Sequence, residues 1–159
     1  MDSHSKYIEE IAKQALKKSA CQELPVLVEQ VAKSVGLEVI AFPFHQKISG
    51  VLKKEQGIIA INKNHSPVRQ RFTAAHELGH FLLGHGMEDV TDDREVDESF
   101  EKPDLKEREA NLFASALLMP ADRVKEAIKK EGLDIDKLAS IFGVSKQAMT
   151  IRLLALKLV

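Results

Sequence analysis

The feature that most constrains this chain is His76-Glu77-Leu78-Gly79-His80, set inside a stretch that suits only a helix. Ser66-Pro67 is a helix start: the serine can cap and the proline fits the first turn. From there Val68, Phe72, Ala75, Gly79 and Leu82 follow helical spacing and form one apolar stripe. Two histidines four apart stand one turn above the other, so both can hold one ion. Glu77 lies about 100° further round, beside the ion and not bonded to it, where a general base for water belongs. A lone histidine on such a helix is ordinarily a hydrogen-bonded core residue. A pair at the edge of the stripe, with a carboxylate between them, fits that description poorly. Gly79, on the apolar face, predicts close approach by a second helix.

A hydrolytic zinc usually takes three protein ligands and keeps one position open. The third is sought downstream, between Glu107 and Pro120. Read as a helix, this stretch puts Glu107, Asn111, Ala114 and Leu118 on one face. Glu107 is the expected ligand. Asn111, one turn on, can accept the N–H of a liganding histidine and fix its tautomer. Ala110 and Ala114 leave room for the two helices to close up. Glu109 is the rival ligand, but it projects to nearly the opposite side. His85 is not taken as a ligand. The pattern H-E-x-x-H-x-x-G-x-x-H needs Gly at 83 and His at 86, where this chain has Leu83 and Gly86. A continued helix also turns His85 away from the metal face, toward a role at the helix end.

Composition sets the frame. At 159 residues and 44% hydrophobic content, one domain with one core is feasible. A net charge of −1 gives no global field toward nucleic acid or membrane. The opening ten residues lack the apolar core of a signal peptide, and no run of apolar residues is long enough to span a bilayer. The single cysteine, Cys21, can form no internal disulfide, which suits the reducing cytoplasm.

In chain order, a helix is expected near 5–19 and a second from Pro25 to Gly36. β-rich sequence follows from Leu37 to Phe44. Two strands, Ile48–Leu52 and Gly57–Asn62, are joined by a turn. The metal helix covers about 66–84 and the glutamate helix about 104–119. Further helices are expected from Pro120 to Gly132, at 134–142 and at 145–157. Between the two site helices, Glu88 to Asp104 is strongly acidic, which predicts a solvated loop.

The combination resembles the ImmA/IrrE family of metallo-endopeptidases. The resemblance rests on Arg69 to His80, on Glu107-x-x-Ala110-Asn111-x-Phe113-Ala114 and on Leu117 to Pro120. It extends through Ile48 to Val51, Ile58 to Asn62 and Leu138 to Ser145. It implies a zincin-like fold, one zinc ion on His76, His80 and Glu107, and Glu77 as base. It also implies regulatory proteolysis of a helix-turn-helix repressor, in a mobile element, phage or stress response. In zincin-like folds an edge strand beside the metal helix binds the substrate backbone, which nominates Ile58, Ile59, Ala60 and Ile61. Related peptidases place a His or Tyr against the developing oxyanion. Tyr7, His65, His85, Arg69 and Arg71 are the unranked candidates here.

The expected architecture is therefore α+β: a mostly helical zincin-like core over 1–131, with a small three-stranded sheet. A helix-turn-helix-like pair over 132–159 packs on that core. Residues 133–159 carry four basic and two acidic side chains, thin support for DNA binding. The rival functions are a DNA-binding regulator with a vestigial metal site and a toxin–antitoxin or other partner-binding module.

Overall fold

The computed structural model describes residues 1–85, 91–92 and 104–159. Two helices come first, α1 (Ser3–Ser19) and α2 (Val28–Ser34). Strands β1 (Glu38–Phe42), β2 (Ile48–Lys53) and β3 (Ile58–Asn62) follow, with a 3₁₀ turn at Lys54–Gln56 between the last two. Then come α3 (Pro67–Leu82), the two-residue strand β4 (Thr91–Asp92), α4 (Leu105–Leu118), α5 (Ala121–Glu131), α6 (Ile135–Phe142) and α7 (Lys146–Ala155). The fold is α+β and mostly helical, with boundaries close to those expected.

Local chemistry sets most of these ends. Ser66 caps α3 by accepting the Arg69 N–H at 3.3 Å, with Pro67 in the first turn. Asp134 accepts the Lys137 N–H at 3.1 Å to start α6, and Ser145 accepts the Ala148 N–H at 3.0 Å to start α7. The second helix differs from expectation. It begins at Val28, because Leu27 is extended (φ −81°, ψ 91°) and the Val26 carbonyl is held by Arg71.

The sheet runs in the order β1-β3-β2-β4. Strand β1 lies parallel to β3, from Glu38↔Ile58 to Phe42↔Asn62, and β2 is antiparallel to β3, from Gly50↔Ile61 to Lys53↔Ile58. The three full strands are those expected, and β4 adds a short antiparallel pairing to β2 at Ile48 and Gly50. This order overturns the nomination of Ile58, Ile59, Ala60 and Ile61 as a substrate-binding edge. Both sides of β3 are taken, by β1 and by β2, so it has no free ladder to offer. The physical reason is visible in burial: Ile59, Ala60, Ile61 and Asn62 are all buried, as in a strand covered on both faces.

One hydrophobic cluster holds the molecule together. It joins Ile8 and Leu16 of α1, Val31 of α2, Leu52, Ile59 and Leu78, Phe113 and Leu117 of α4, and Phe142, Met149 and Leu153 of α6 and α7. Helices α6 and α7 thus share the core of α3. Arg71 on α3 binds the pair to the rest: its Nη1 donates to Val26 O at 2.9 Å and its Nε to Gly143 O at 3.2 Å. Gly143 (φ +62°) turns α6 into α7, and a Cβ there would come within 3.0 Å of Pro25 and 2.8 Å of Arg71 Nε. On α7, Arg152 is 1% exposed. It donates to Met119 O at 2.9 Å and grips Glu9 of α1 with both terminal nitrogens. Among the described residues no helix is long and apolar enough to cross a membrane.

Candidate metal centre

Helices α3 and α4 build the site by packing backbone against side chain. A Cβ on Gly79 would lie 2.9 Å from Phe113 Cδ1, so the glycine lets α4 settle directly on the motif helix. Ala110 and Ala114 are fully buried in the same contact. On its other side α3 meets the sheet, where a Cβ on Gly50 would lie 2.6 Å from Thr73 Cγ2 and 3.6 Å from Glu77 Cγ. These close approaches seat Glu77, fully buried, between the sheet and the histidine face.

Three side chains converge. His76 Nε2 lies 3.0 Å from His80 Nε2 and 3.1 Å from Glu107 Oε2, while His80 Nε2 lies 2.9 Å from Glu107 Oε1. Among the described residues this trio is the group of histidine, cysteine and acidic side chains arranged to hold a metal ion. A tetrahedral zinc with ligands at about 2.05 Å has ligand–ligand edges of about 3.3 Å. The observed separations need to open by only a few tenths of an ångström, and the fourth vertex is left for water. Two imidazoles and a carboxylate are also the borderline donor set that suits zinc.

The electrostatics agree. Burial works against a charged His76, but the Glu107 hydrogen bond, the Glu77 and Glu107 charges and the Asn111 bond outweigh it, and its pKa is raised. Glu107 is held far below the usual carboxylate range by its contacts with His76 and then His80, against the cost of its own burial. The centre is thus a place that prefers a positive charge, with the glutamate ionised.

Asn111 Oδ1 lies 2.8 Å from His76 Nδ1, where it accepts that N–H, while Nε2 faces His80 and Glu107. His85 departs from expectation. Helix α3 ends in a Schellman turn: Gly84 takes φ +68°, its N–H reaches Phe81 O at 3.2 Å, and the His85 N–H reaches His80 O at 3.1 Å. The turn folds His85 back beneath the helix, buried, with its Nδ1 2.8 Å from His80 Nδ1. His85 Nε2 then meets Glu109 Oε2 at 2.7 Å, and Glu109 Oε1 meets His4 Nε2 of α1 at 2.6 Å. Glu109 therefore faces His85 and not the metal position. His85, Glu109 and His4 were missed as a connected set, although Gly84 before His85 was a readable stop signal.

The oxyanion candidates sort differently. His65 is buried against Gln46 O at 2.9 Å, and Arg71 is spent on backbone carbonyls. His85 stands behind His80, and Tyr7 is 61% exposed on α1. The acidic stretch from Glu88 to Asp104 falls almost wholly outside the described residues.

Known proteins place this geometry. The curated radiation response metalloprotease IrrE of Deinococcus deserti is 35% identical over 100 residues, covering 61% of this chain and 34% of that protein. IrrE of Deinococcus radiodurans is 36% identical over 86 residues, covering 52% and 25%. The chain thus spans only about a third or less of these relatives. Among solved structures, a Mycobacterium tuberculosis transcriptional regulator superposes with a TM-score of 0.68 at 18% identity, over 93% of this chain and 46% of that one, a likeness of fold. The sequence pattern of Peptidase M78, the IrrE N-terminal-like domain, matches residues 32–154. With the motif helix, the glutamate helix and the sheet all inside that span, the chain belongs to the IrrE N-terminal-like family of M78 peptidases.

Proposed function

We propose that this chain is a zinc-dependent endopeptidase, with His76, His80 and Glu107 as metal ligands, Glu77 as general base and Asn111 orienting His76. The observation that carries the reading is the convergence of His76 Nε2, His80 Nε2 and the Glu107 carboxylate within 3.1 Å of one another, beside a fully buried Glu77. A zinc ion held by His76, His80 and Glu107 would supply Lewis acidity toward a scissile carbonyl and a water molecule. Glu77 takes the proton from the attacking water and delivers it to the leaving amine. Its burial next to Gly50 and Thr73 keeps the carboxylate fixed and shielded during that transfer.

The substrate is a protein, and the finer reading is site-specific cleavage of a helix-turn-helix repressor in the cytoplasm. It is supported by family membership and by the radiation-response naming of both Deinococcus relatives. Residues 1–131 act as the peptidase core, and 132–159 as an extension that completes it. DNA binding by α7 is disfavoured because Arg152 points into the core toward Glu9. The chain's Cys21 is buried and stays a thiol there. The test is to incubate zinc-loaded protein with candidate helix-turn-helix repressors, a neighbouring one first where the gene has one, and look for fragments. Glu77→Gln should keep the metal and lose cleavage by at least about 100-fold. Full cleavage by that variant refutes the role of Glu77, and stable binding without fragments refutes the peptidase reading.

A further inference from the structure

We infer that the cavity between α3 and α7 is a specificity subsite, which seats a large apolar side chain of the substrate one or two residues from the scissile bond. This inference rests on the peptidase reading above and extends it to residues that reading does not use.

The size and lining of the cavity set what it takes. Its volume is about 290 Å³. An engineered apolar cavity of about 150 Å³ takes up benzene, so this one has room for a phenyl or isobutyl group. Val68 and Phe72 of α3 line one side, and Val144 and Ala148, before and within the first turn of α7, line the other. Ser66 and Ser145 also line it, but their hydroxyl oxygens are engaged as helix caps, on the Arg69 and Ala148 N–H groups at 3.3 and 3.0 Å. A polar side chain entering there gives up water for few partners, whereas an apolar one gains by burial. Arg69 brings the charge in the lining, so an acidic probe tests whether charge rather than apolar burial decides the occupant.

Position ties the cavity to the metal centre. Arg69, Phe72, His76 and His80 follow helical spacing along one face of α3, so the cavity continues the face that carries both histidines. The rings of Phe72 and His76 have centroids 6.3 Å apart, so the cavity wall borders the centre directly. One helical turn rises about 5.4 Å and an extended chain advances about 3.3 Å per residue. A substrate lying along this face therefore reaches the cavity within about two residues of a bond held beside His76. The wall from the C-terminal helices is fastened in place. Arg71 donates to the Phe142 and Gly143 carbonyls at 3.4 and 3.2 Å, and the Val144 N–H bonds to Ala139 O at 3.0 Å. A wall held this way is formed before the substrate arrives, which lowers the ordering cost of binding.

The experiment measures binding of hydroxamates, which chelate an open zinc, to the zinc-loaded protein. Acetohydroxamate is compared with probes carrying an alanyl, leucyl, phenylalanyl or glutamyl side chain beside the chelating group. The probes are made as peptidyl and as succinyl hydroxamates, which extend to opposite sides of that group. In one of the two series the leucyl or phenylalanyl probe should bind about 10- to 100-fold more tightly than the alanyl one, and the glutamyl probe should show no such gain. Intermolecular NOEs should join the leucyl methyls to those of Val144 and Ala148, a reading that needs no variant to fold. Ala148→Leu fills the cavity from α7 and should cut the leucyl-to-alanyl ratio to below about 3-fold. Val68→Ser, at an exposed position, should lower the same ratio. Equal binding of the four side chains in both series overturns the inference. So does a glutamyl preference, an apolar preference that survives in folded Ala148→Leu, or a bound leucyl group whose NOEs go elsewhere. Self-association of the chain that Ala148→Leu abolishes would give the cavity to a second copy and overturns it too. If the zinc-loaded protein binds none of the probes, acetohydroxamate included, the open catalytic metal of the peptidase reading fails, and the subsite fails with it.

Discussion

At the scale of single residues, the centre is built from side chains whose protonation is decided by their neighbours. The raised pKa of His76 means that in the metal-free protein its proton persists to higher pH than on an ordinary imidazole. That proton steadies the metal-free site below the raised value, and its contribution fades as pH climbs through it. A metal ion must displace it, so zinc affinity should rise with pH through roughly the neutral range and then level off. Titrations with a competing chelator across that range check this, and an affinity that ignores pH contradicts it. Gly79 is the matching steric case. Gly79→Ala places a methyl 2.9 Å from the Phe113 ring, so α4 or the ring must move. Urea unfolding should show a loss of about 1–3 kcal/mol, with weaker zinc binding because α4 carries Glu107. The sequence made His76, His80, Glu77, Glu107 and Asn111 legible because helical spacing converts directly into geometry. It misplaced His85 because projecting a straight helix past Gly84 ignores the left-handed turn that reverses the chain.

At the scale of elements, the helices were readable from their caps and apolar stripes, and the strands from their β-branched runs. What spacing alone did not supply was strand order. Pairing between β1 and β3 is parallel and crosses over β2, and such long-range choices leave no local mark. The available mark was the unbroken burial-prone run in β3, which signals an interior strand. The strand that touches the motif helix beside Glu77 is β2, through Gly50. The last helix, α7, illustrates the reverse lesson. The stretch read as helix-turn-helix-like forms two helices, α6 and α7, and its Arg152 serves as an internal anchor to Glu9 and Met119. Arg152→Ala removes the bonds to Met119 O and to the half-buried Glu9 carboxylate and should cost about 1–3 kcal/mol in chemical unfolding. A change below about 0.5 kcal/mol would mean that these bonds contribute nothing to docking α7.

At the scale of the whole molecule, one core carries the site. Helix α3 is clamped by the sheet on one side and α4 on the other, while Arg71 and Arg152 fasten the C-terminal helix pair to it. The proposed ligands come from two helices far apart in sequence, so the cluster exists only in the folded chain, and metal binding there would be coupled to folding. The measurement that bears most directly on the account is the zinc content of purified protein after dialysis, made alongside His76→Ala, His80→Ala and Glu107→Ala. The unchanged chain should hold one zinc per molecule, and each folded variant should lose it. A chain that binds no divalent ion, or variants that keep the full complement, would contradict the convergence of these three side chains on a single cation.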